Sequence, residues 1–236
     1  MKGNARAAEF LAEHGWLSFT PHDFRDKVLQ RIQQRKFEKG ELVYQVGDAP
    51  EGLWAIIEGA VEISGSSPGA VPHLIHFAVP GFWFGEPPLI YGMRRVVTVT
   101  ASRPSRLVTL PLSDCRAILE ADPGAWRWIA LLSAMTADLA IGVVADLLLL
   151  DPARRTSALL LRLAGMRSMV FPGKSPSPIY LSQEKVGSLV NLSRNSIIPV
   201  LQEFERRGFI KVSYGSIEVL DVAGLTATIA MEPAEN

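Results

Sequence analysis

Cysteine is almost missing from this chain: Cys115 stands alone among 236 residues. A single cysteine excludes an internal disulfide and any all-cysteine metal or iron-sulfur site within one chain, and it fits a reducing compartment. An excess of either charge is missing too. Lys plus Arg and Asp plus Glu each number 24, so the net charge is +0 and no global field announces a nucleic acid or a membrane. Any binding surface has to be local. The first residues, MKGNARAAEFLAEHGW, mix charges and lack the apolar run of a signal peptide, so the expectation is a protein that stays in the cytoplasm. Enzymatic constellations are lacking as well: there is no phosphate-binding glycine loop, no HExxH and no nucleophile motif with a paired base. Of the four histidines, His73 and His76 in HLIH fall on opposite faces of a predicted strand, which argues against a shared metal, and no metal or other cofactor is expected.

What is present is apolar: 48% of the residues are hydrophobic, enough to fill the core of one large domain or two ordinary ones. From 37 to 115 the chain is dense in short β-rich runs, ELVYQVG, LWAIIEGAVEIS, PHLIHFAVPG, RVVTVTA and SRLVTLP, most of them closed by Gly, Pro or Ser. That spacing predicts an all-β barrel or roll. Beyond Asp122 the texture turns to Ala and Leu. Asp122-Pro123 and Asp151-Pro152 both read as helix starts, an N-cap followed by a proline whose missing N–H costs nothing at the first helical position.

The stretch WIALLSAMTADLAIGVVADLLLL, 128–150, is long enough to cross a bilayer. Asp138 and Asp146 oppose that, at about 2.5–3.5 kcal/mol each near the centre of a spanning helix. Ile129, Leu132, Thr136, Leu139 and Val143 keep a 3,4 spacing, yet apolar residues lie on nearly every side. A helix apolar all round must be buried all round, and one face on the β-domain with another on a second subunit would achieve this. A proline-, glycine- and serine-rich stretch at 166–178 reads as a linker.

The C-terminal part has the pattern of a winged helix-turn-helix: a helical QEKVGSLV, an interruption NLS, a second helix RNSIIPVLQEFERRGF, and a hairpin around Tyr214-Gly215. Val186, Leu189 and Val190 form the inner face of the first helix, and Ile197, Leu201 and Phe204 that of the second. Asn191 suits a left-handed turn position and Ser193 suits an N-cap.

LSQEKVGSLVNLSRNSI with LQEFERRGFI resembles the helix-turn-helix of the Crp/Fnr family of bacterial transcription regulators. Upstream, FEKGELVYQVGDAPEGLWAIIEGAVEI, PGFWFGE, RRVVTVTA and the long helix resemble that family's cyclic-nucleotide-binding-type roll and dimerisation helix, in the same order, over about residues 30–222. The resemblance implies an α+β chain: a jelly-roll-like β-roll sensing domain over 1–121, a dimerisation helix over 122–150 and a winged helix-turn-helix over 151–236. It further implies homodimers on palindromic double-stranded DNA, with RNA polymerase as a further partner and no membrane.

The resemblance also assigns sites. DNA contacts fall on Ser182, Gln183, Ser193, Arg194, Asn195, Ser196 and Ile198. Arg194 is placed to read a guanine edge; Asn195 stands where well-known members carry a cytosine-reading Glu, and its amide favours adenine. The effector pocket falls on Gly85, Glu86, Arg95, Val96, Ala140 and Ile141. In cyclic-nucleotide-binding members a hydroxyl residue follows the Arg and hydroxyl residues on the long helix meet the base. Val96, Ala140 and Ile141 offer no such hydrogen bond, and Pro87 and Pro88 stiffen the segment after Glu86, so cAMP is not the expected effector. Glu86 and Arg95 are expected to form a structural ion pair inside the roll. Over 167–222, Lys174, Lys185, Lys211, Arg167, Arg194, Arg206 and Arg207 oppose Glu184, Glu203, Glu205, Glu218 and Asp221, a weak net +2. Pro199, the sixth residue after the Ser193 cap, predicts a kink in the reading helix. A second function stays open: a roll that senses a ligand or binds a protein, with a winged helix that no longer reads DNA.

Overall fold

The computed structural model describes residues 2–66, 69–167 and 175–230 and divides the chain into two compact units, residues 1–136 and 137–236. In the first, α1 (Lys2–Glu13), a 3-10 turn (Trp16–Phe19) and α2 (His22–Leu29) precede eight strands: β1 (Gln33–Phe37), β2 (Leu42–Tyr44), β3 (Gly52–Glu58), β4 (Val61–Gly65), β5 (His73–Ala78), β6 (Trp83–Phe84), β7 (Thr98–Ala101) and β8 (Ser105–Pro111). They form two antiparallel four-stranded sheets, ordered β1-β8-β3-β6 and β2-β7-β4-β5. The short α3 (Pro87–Tyr91) lies between β6 and β7, and α4 (Leu112–Ala121) follows β8.

The sequence of β3 explains this layering. LWAII is apolar at consecutive positions because both faces of the strand are covered. Leu53 and Ala55 join Trp16, Leu17, Trp83, Val108, Leu110, Ile118, Ile129 and Leu132 in one cluster, whereas Trp54 and Ile56 join Phe37, Tyr44, Val61, Phe84, Val99 and Leu107 in another. The helical side closes tightly. Trp16 sits edge-on to Phe24 and Trp83, and its Nε1 donates to Trp128 O at 2.7 Å. Gly15 has φ 73°, and a Cβ there would lie 1.8 Å from Gly81 O, so only glycine lets the two backbones meet. Cys115 is buried under the Leu110 carbonyl, 3.6 Å from its Sγ, and burial pushes its thiol up to about 12.

The long helix α5 (Trp126–Leu147) follows a 3-10 turn that Asp122 caps by accepting from Gly124 N. In the second unit come α6 (Pro152–Leu163), α7 (Gln183–Leu189), α8 (Arg194–Arg206), the antiparallel hairpin of β9 (Ile210–Ser213) and β10 (Ser216–Val219), and α9 (Val222–Ala230). Asp151 caps α6, accepting from Arg154 N at 2.8 Å. Ile179 adds an antiparallel bridge to Ile217, widening the hairpin into a small sheet. Both Asp-Pro starts expected from the sequence are therefore present. The linker expected over 166–178 lies largely outside the described residues, in 168–174.

Several elements depart from the sequence expectation. β1, α1, α2 and α4 lie where neither strands nor helices are anticipated. A bulge in the β4–β5 pairing falls between His73 and His76, so the strict alternation that set them on opposite faces does not hold across them. Among the described residues no three His, Cys, Asp or Glu side chains converge as metal ligands. The segment 123–147 is long and apolar enough to cross a membrane by length and composition. Near its end, however, Asp146 is buried and paired with Arg162 and Arg167, a tie to the α6 region that a lipid-embedded helix end would not need.

Candidate nucleic-acid interface and effector site

The helix-turn-helix is built by backbone closure before any side chain reaches outward. α7 starts at Ser182, whose hydroxyl accepts from Lys185 N, and ends in a left-handed Asn191 at φ 53°, the one non-glycine residue with positive φ among those described. Leu192 N donates back to Gly187 O at 2.9 Å and Asn191 N to Ser188 O at 3.2 Å, the paired bonds of a Schellman turn with Asn in the place usually held by Gly. Gly187 has a second reason to be glycine: a Cβ would lie 3.0 Å from Leu192 O and 3.1 Å from Ile197 Cγ2, so its absence lets α8 cross close to α7.

Ser193 then caps α8, accepting from Ser196 N at 3.2 Å and sharing a hydrogen bond with the Ser196 hydroxyl at 2.9 Å. Ile197, Leu201 and Phe204 are buried, so the opposite face of the first turn is turned outward: Arg194, Asn195 and Ser196 are all exposed, with Ser182 exposed and Gln183 and Ile198 half-buried. The helix runs unbroken from Arg194 to Arg206 through an exposed Pro199, so the proline does not end it. The N–H that Pro199 lacks would otherwise bond the carbonyl of Asn195, four residues earlier. At the far end Glu203 accepts from both Arg206 and Arg207, and these bonds pull its carboxyl down to about 2. Their charge is thus partly spent within the helix. Glu205 accepts from Val212 N at 2.9 Å, fixing the wing to α8, and the wing turns through Gly215 at φ 72° with Tyr214 fully exposed at its tip.

In the roll, Gly85, Glu86 and Arg95 do come together, but not as an ion pair. Glu86 and Arg95 are each 3% exposed. The guanidinium donates to Gly52 O at 2.8 Å and Gly85 O at 2.9 Å and lies 4.2 Å over the Tyr44 ring, while its Nε has no hydrogen-bond partner among the described residues. The expected Glu86–Arg95 pair is therefore replaced by bonds to backbone carbonyls, acceptors that no side-chain pattern reveals. Burial lowers the Arg95 pKa against the pull of Tyr44, Glu51, Glu86 and Asp48. Burial also raises the Glu86 carboxyl, opposed by hydrogen bonding that includes the Thr136 hydroxyl. Gly85, at φ 92°, has no room for a Cβ, which would meet Arg95 Nη1 at 2.8 Å. Pro87 and Pro88 open α3, where a proline's missing N–H is harmless. Val96 is 60% exposed, and on α5 Ala140 and Ile141 are exposed as well.

A roll that buries an arginine and a glutamate, a long helix and a capped helix-turn-helix with a wing define a two-part class of protein, a β-roll followed by a winged helix-turn-helix. Comparison with known proteins gives the class its family. The cyclic nucleotide-binding domain family matches residues 34–122 and the Crp-like helix-turn-helix domain family residues 154–228. The HTH-type transcriptional regulator Cmr of Mycobacterium tuberculosis is 27% identical over 212 residues, covering 85% of this chain and 78% of its own. The CRP-like cAMP-activated global transcriptional regulator of the same organism is 25% identical over 213 residues, covering 90% and 95%. FixK2 of Bradyrhizobium japonicum, at 16% identity, shares the fold with a TM-score of 0.71 over 86% of this chain and 99% of its own. The chain belongs to the Crp/Fnr family and is a transcription regulator of that type. Both Mycobacterium tuberculosis relatives carry the name of transcriptional regulators.

Proposed function

We propose that this regulator works as a cytoplasmic homodimer on palindromic promoter DNA, under an effector other than cAMP. The observation that carries the DNA reading is the first turn of α8, where a capped N-terminus offers Arg194, Asn195 and Ser196 to solvent while every buried side chain of the helix is apolar. An exposed helix N-terminus suits phosphate, and a guanidinium beside it suits guanine. Ser182 and Gln183 at the start of α7 and Ile198 complete the contact set. Homodimerisation is supported by α5 and the residues after it, which leave Ile141, Val144, Leu147, Leu148 and Leu150 exposed. Apolar groups in such number on one segment call for a cover. Two half-sites about one helical turn apart follow from a two-fold dimer. RNA polymerase is the natural further partner of such a regulator.

The name of one relative records activation by cAMP. Here Val96 gives no donor beside Arg95, the guanidinium of Arg95 is engaged by Gly52 O and Gly85 O, and Ala140 and Ile141 give none on α5. Selection of binding sites from random duplexes, repeated across salt concentrations, tests the regulator reading: a palindrome should emerge, with affinity falling as salt rises. Failure to enrich any sequence would leave a sensing or protein-binding roll with a silent winged helix. Calorimetric titration with cAMP should give no micromolar binding, and such binding would overturn the effector reading.

A further inference from the structure

The face of α8 opposite Ile197, Leu201 and Phe204 runs from Arg194 and Asn195 through Pro199 to Gln202, all exposed. Asn195 and Pro199 stand four residues apart, so the proline ring lies one turn beyond the amide on the same side of the helix. Pro199 follows Ile198 well past the Ser193 cap, beyond the first turn where a missing N–H is harmless, so the carbonyl of Asn195 loses its regular partner. Nothing in the packing of α8 calls for that loss, because the ring is exposed and the helix is anchored by Ile197, Leu201 and Phe204. What the ring offers outward is a rigid apolar surface. It carries no donor and no acceptor, and it has no rotamer freedom to lose when it is covered. In the major groove the C5-methyl of thymine is the apolar group that a protein reads, whereas guanine, adenine and cytosine present acceptors and amino donors. A proline ring set against one of those three bases would cover polar groups without pairing them, so the contact that favours thymine also disfavours the alternatives.

We propose that Pro199 is a specificity-determining residue that packs on the C5-methyl of one thymine in each half-site, from the same strip of α8 on which Asn195 faces its own base. This rests on the DNA-binding reading above and adds to it a named group on the DNA, a methyl that Arg194, Asn195 and Ser196 have no means of reading. Ile198, half-buried and next in the chain, is the rival apolar contact and serves as the control.

The test removes the methyl alone. In a fluorescent duplex carrying the palindrome selected by the full-length wild type, each symmetry-related pair of thymines, on either strand, is replaced in turn by deoxyuridine, which keeps base pairing and every polar atom of the groove. Affinity for each duplex is titrated with the wild type, Pro199→Ala and Ile198→Ala. For the wild type, replacement at one pair should weaken binding by about tenfold, from roughly threefold to fourfold for each of the two covered methyl groups. In Pro199→Ala the thymine-to-uracil ratio at that pair should fall close to unity. The ratio is taken within one protein, so a change in overall affinity cancels, and alanine restores the helical N–H, so the fold is not at stake. Ile198→Ala should keep the wild-type ratio. Indifference of the wild type to uracil at every pair, a ratio that survives Pro199→Ala, or a ratio lost as fully in Ile198→Ala overturns the inference. A wild type that enriches no duplex overturns the DNA reading and this inference with it, an outcome distinct from a selected duplex whose methyl groups go unread.

Discussion

One polar cluster of this chain is buried and another is exposed. In the roll, Glu86 and Arg95 are buried, and Arg95 spends its donors on the carbonyls of Gly52 and Gly85. In the winged helix, Arg194 makes no side-chain hydrogen bond or ion pair among the described residues, and the buried side chains of its own helix, Ile197, Leu201 and Phe204, are apolar. The roll uses Arg95 to hold its backbone together, and the winged helix presents Arg194 outward. Stability and recognition are therefore joined in one region and separated in the other, and substitutions can be chosen to break that contrast.

The largest expected effect is in the roll. Arg95→Ala strands two carbonyls and should cost about 1.5–3 kcal/mol of unfolding free energy, measured by urea denaturation. Arg194→Ala should do the reverse, leaving stability within about 0.5 kcal/mol and weakening binding to the selected duplex by about 1–3 kcal/mol, read by fluorescence anisotropy. A stability loss for Arg194→Ala as large as that for Arg95→Ala would erase the distinction. Ser193→Ala lies between the two classes, because the hydroxyl is a cap and also part of the presented turn. Thermal melts should show a loss of about 1 kcal/mol.

The smallest effect is one of pH. Burial raises the Glu86 carboxyl above its ordinary 4.5, so the native state holds that proton longer than the unfolded chain does. The resulting contribution to stability is largest at low pH, falls as pH rises from about 4.5 toward the native pKa, and stays lost above it. Glu203 works in the other sense: lowered to about 2 by Arg206 and Arg207, it favours the fold above the ordinary carboxylate range and loses that effect as pH falls. Glu86→Gln should therefore be more stable than the wild type at neutral pH, with the gap closing below pH 4.5 in melts taken across the range. A gap independent of pH would show that burial does not govern Glu86.

The winged helix was legible in the sequence because its determinants are local. Asn191 and Ser193 take the backbone positions their side chains favour, and the inner faces repeat at helical spacing. The roll was less so. β1 is QQRKF, a polar edge strand with only Phe37 buried, and it pairs with β8 some seventy residues away, a partnership no local pattern encodes. The start of α4 carries no side-chain cap, so nothing marks the switch from strand to helix at Leu112. The resemblance locates Glu86 and Arg95, but their opposite charges suggest a pair that three-dimensional packing replaces with the carbonyls of Gly52, at the start of β3, and Gly85. Pro199 lies inside α8, which remains one element from Arg194 to Arg206 with Ile197, Leu201 and Phe204 buried along it.

Cys115 carries a practical consequence. A thiol sealed beneath Leu110 and pushed up to about 12 is almost entirely protonated at neutral pH, and only the thiolate reacts at a useful rate. To an alkylating dye or spin label the native chain is nearly blank. A single cysteine introduced at Tyr214, on the tip of the wing, would then take the label alone and report directly when that tip meets a duplex.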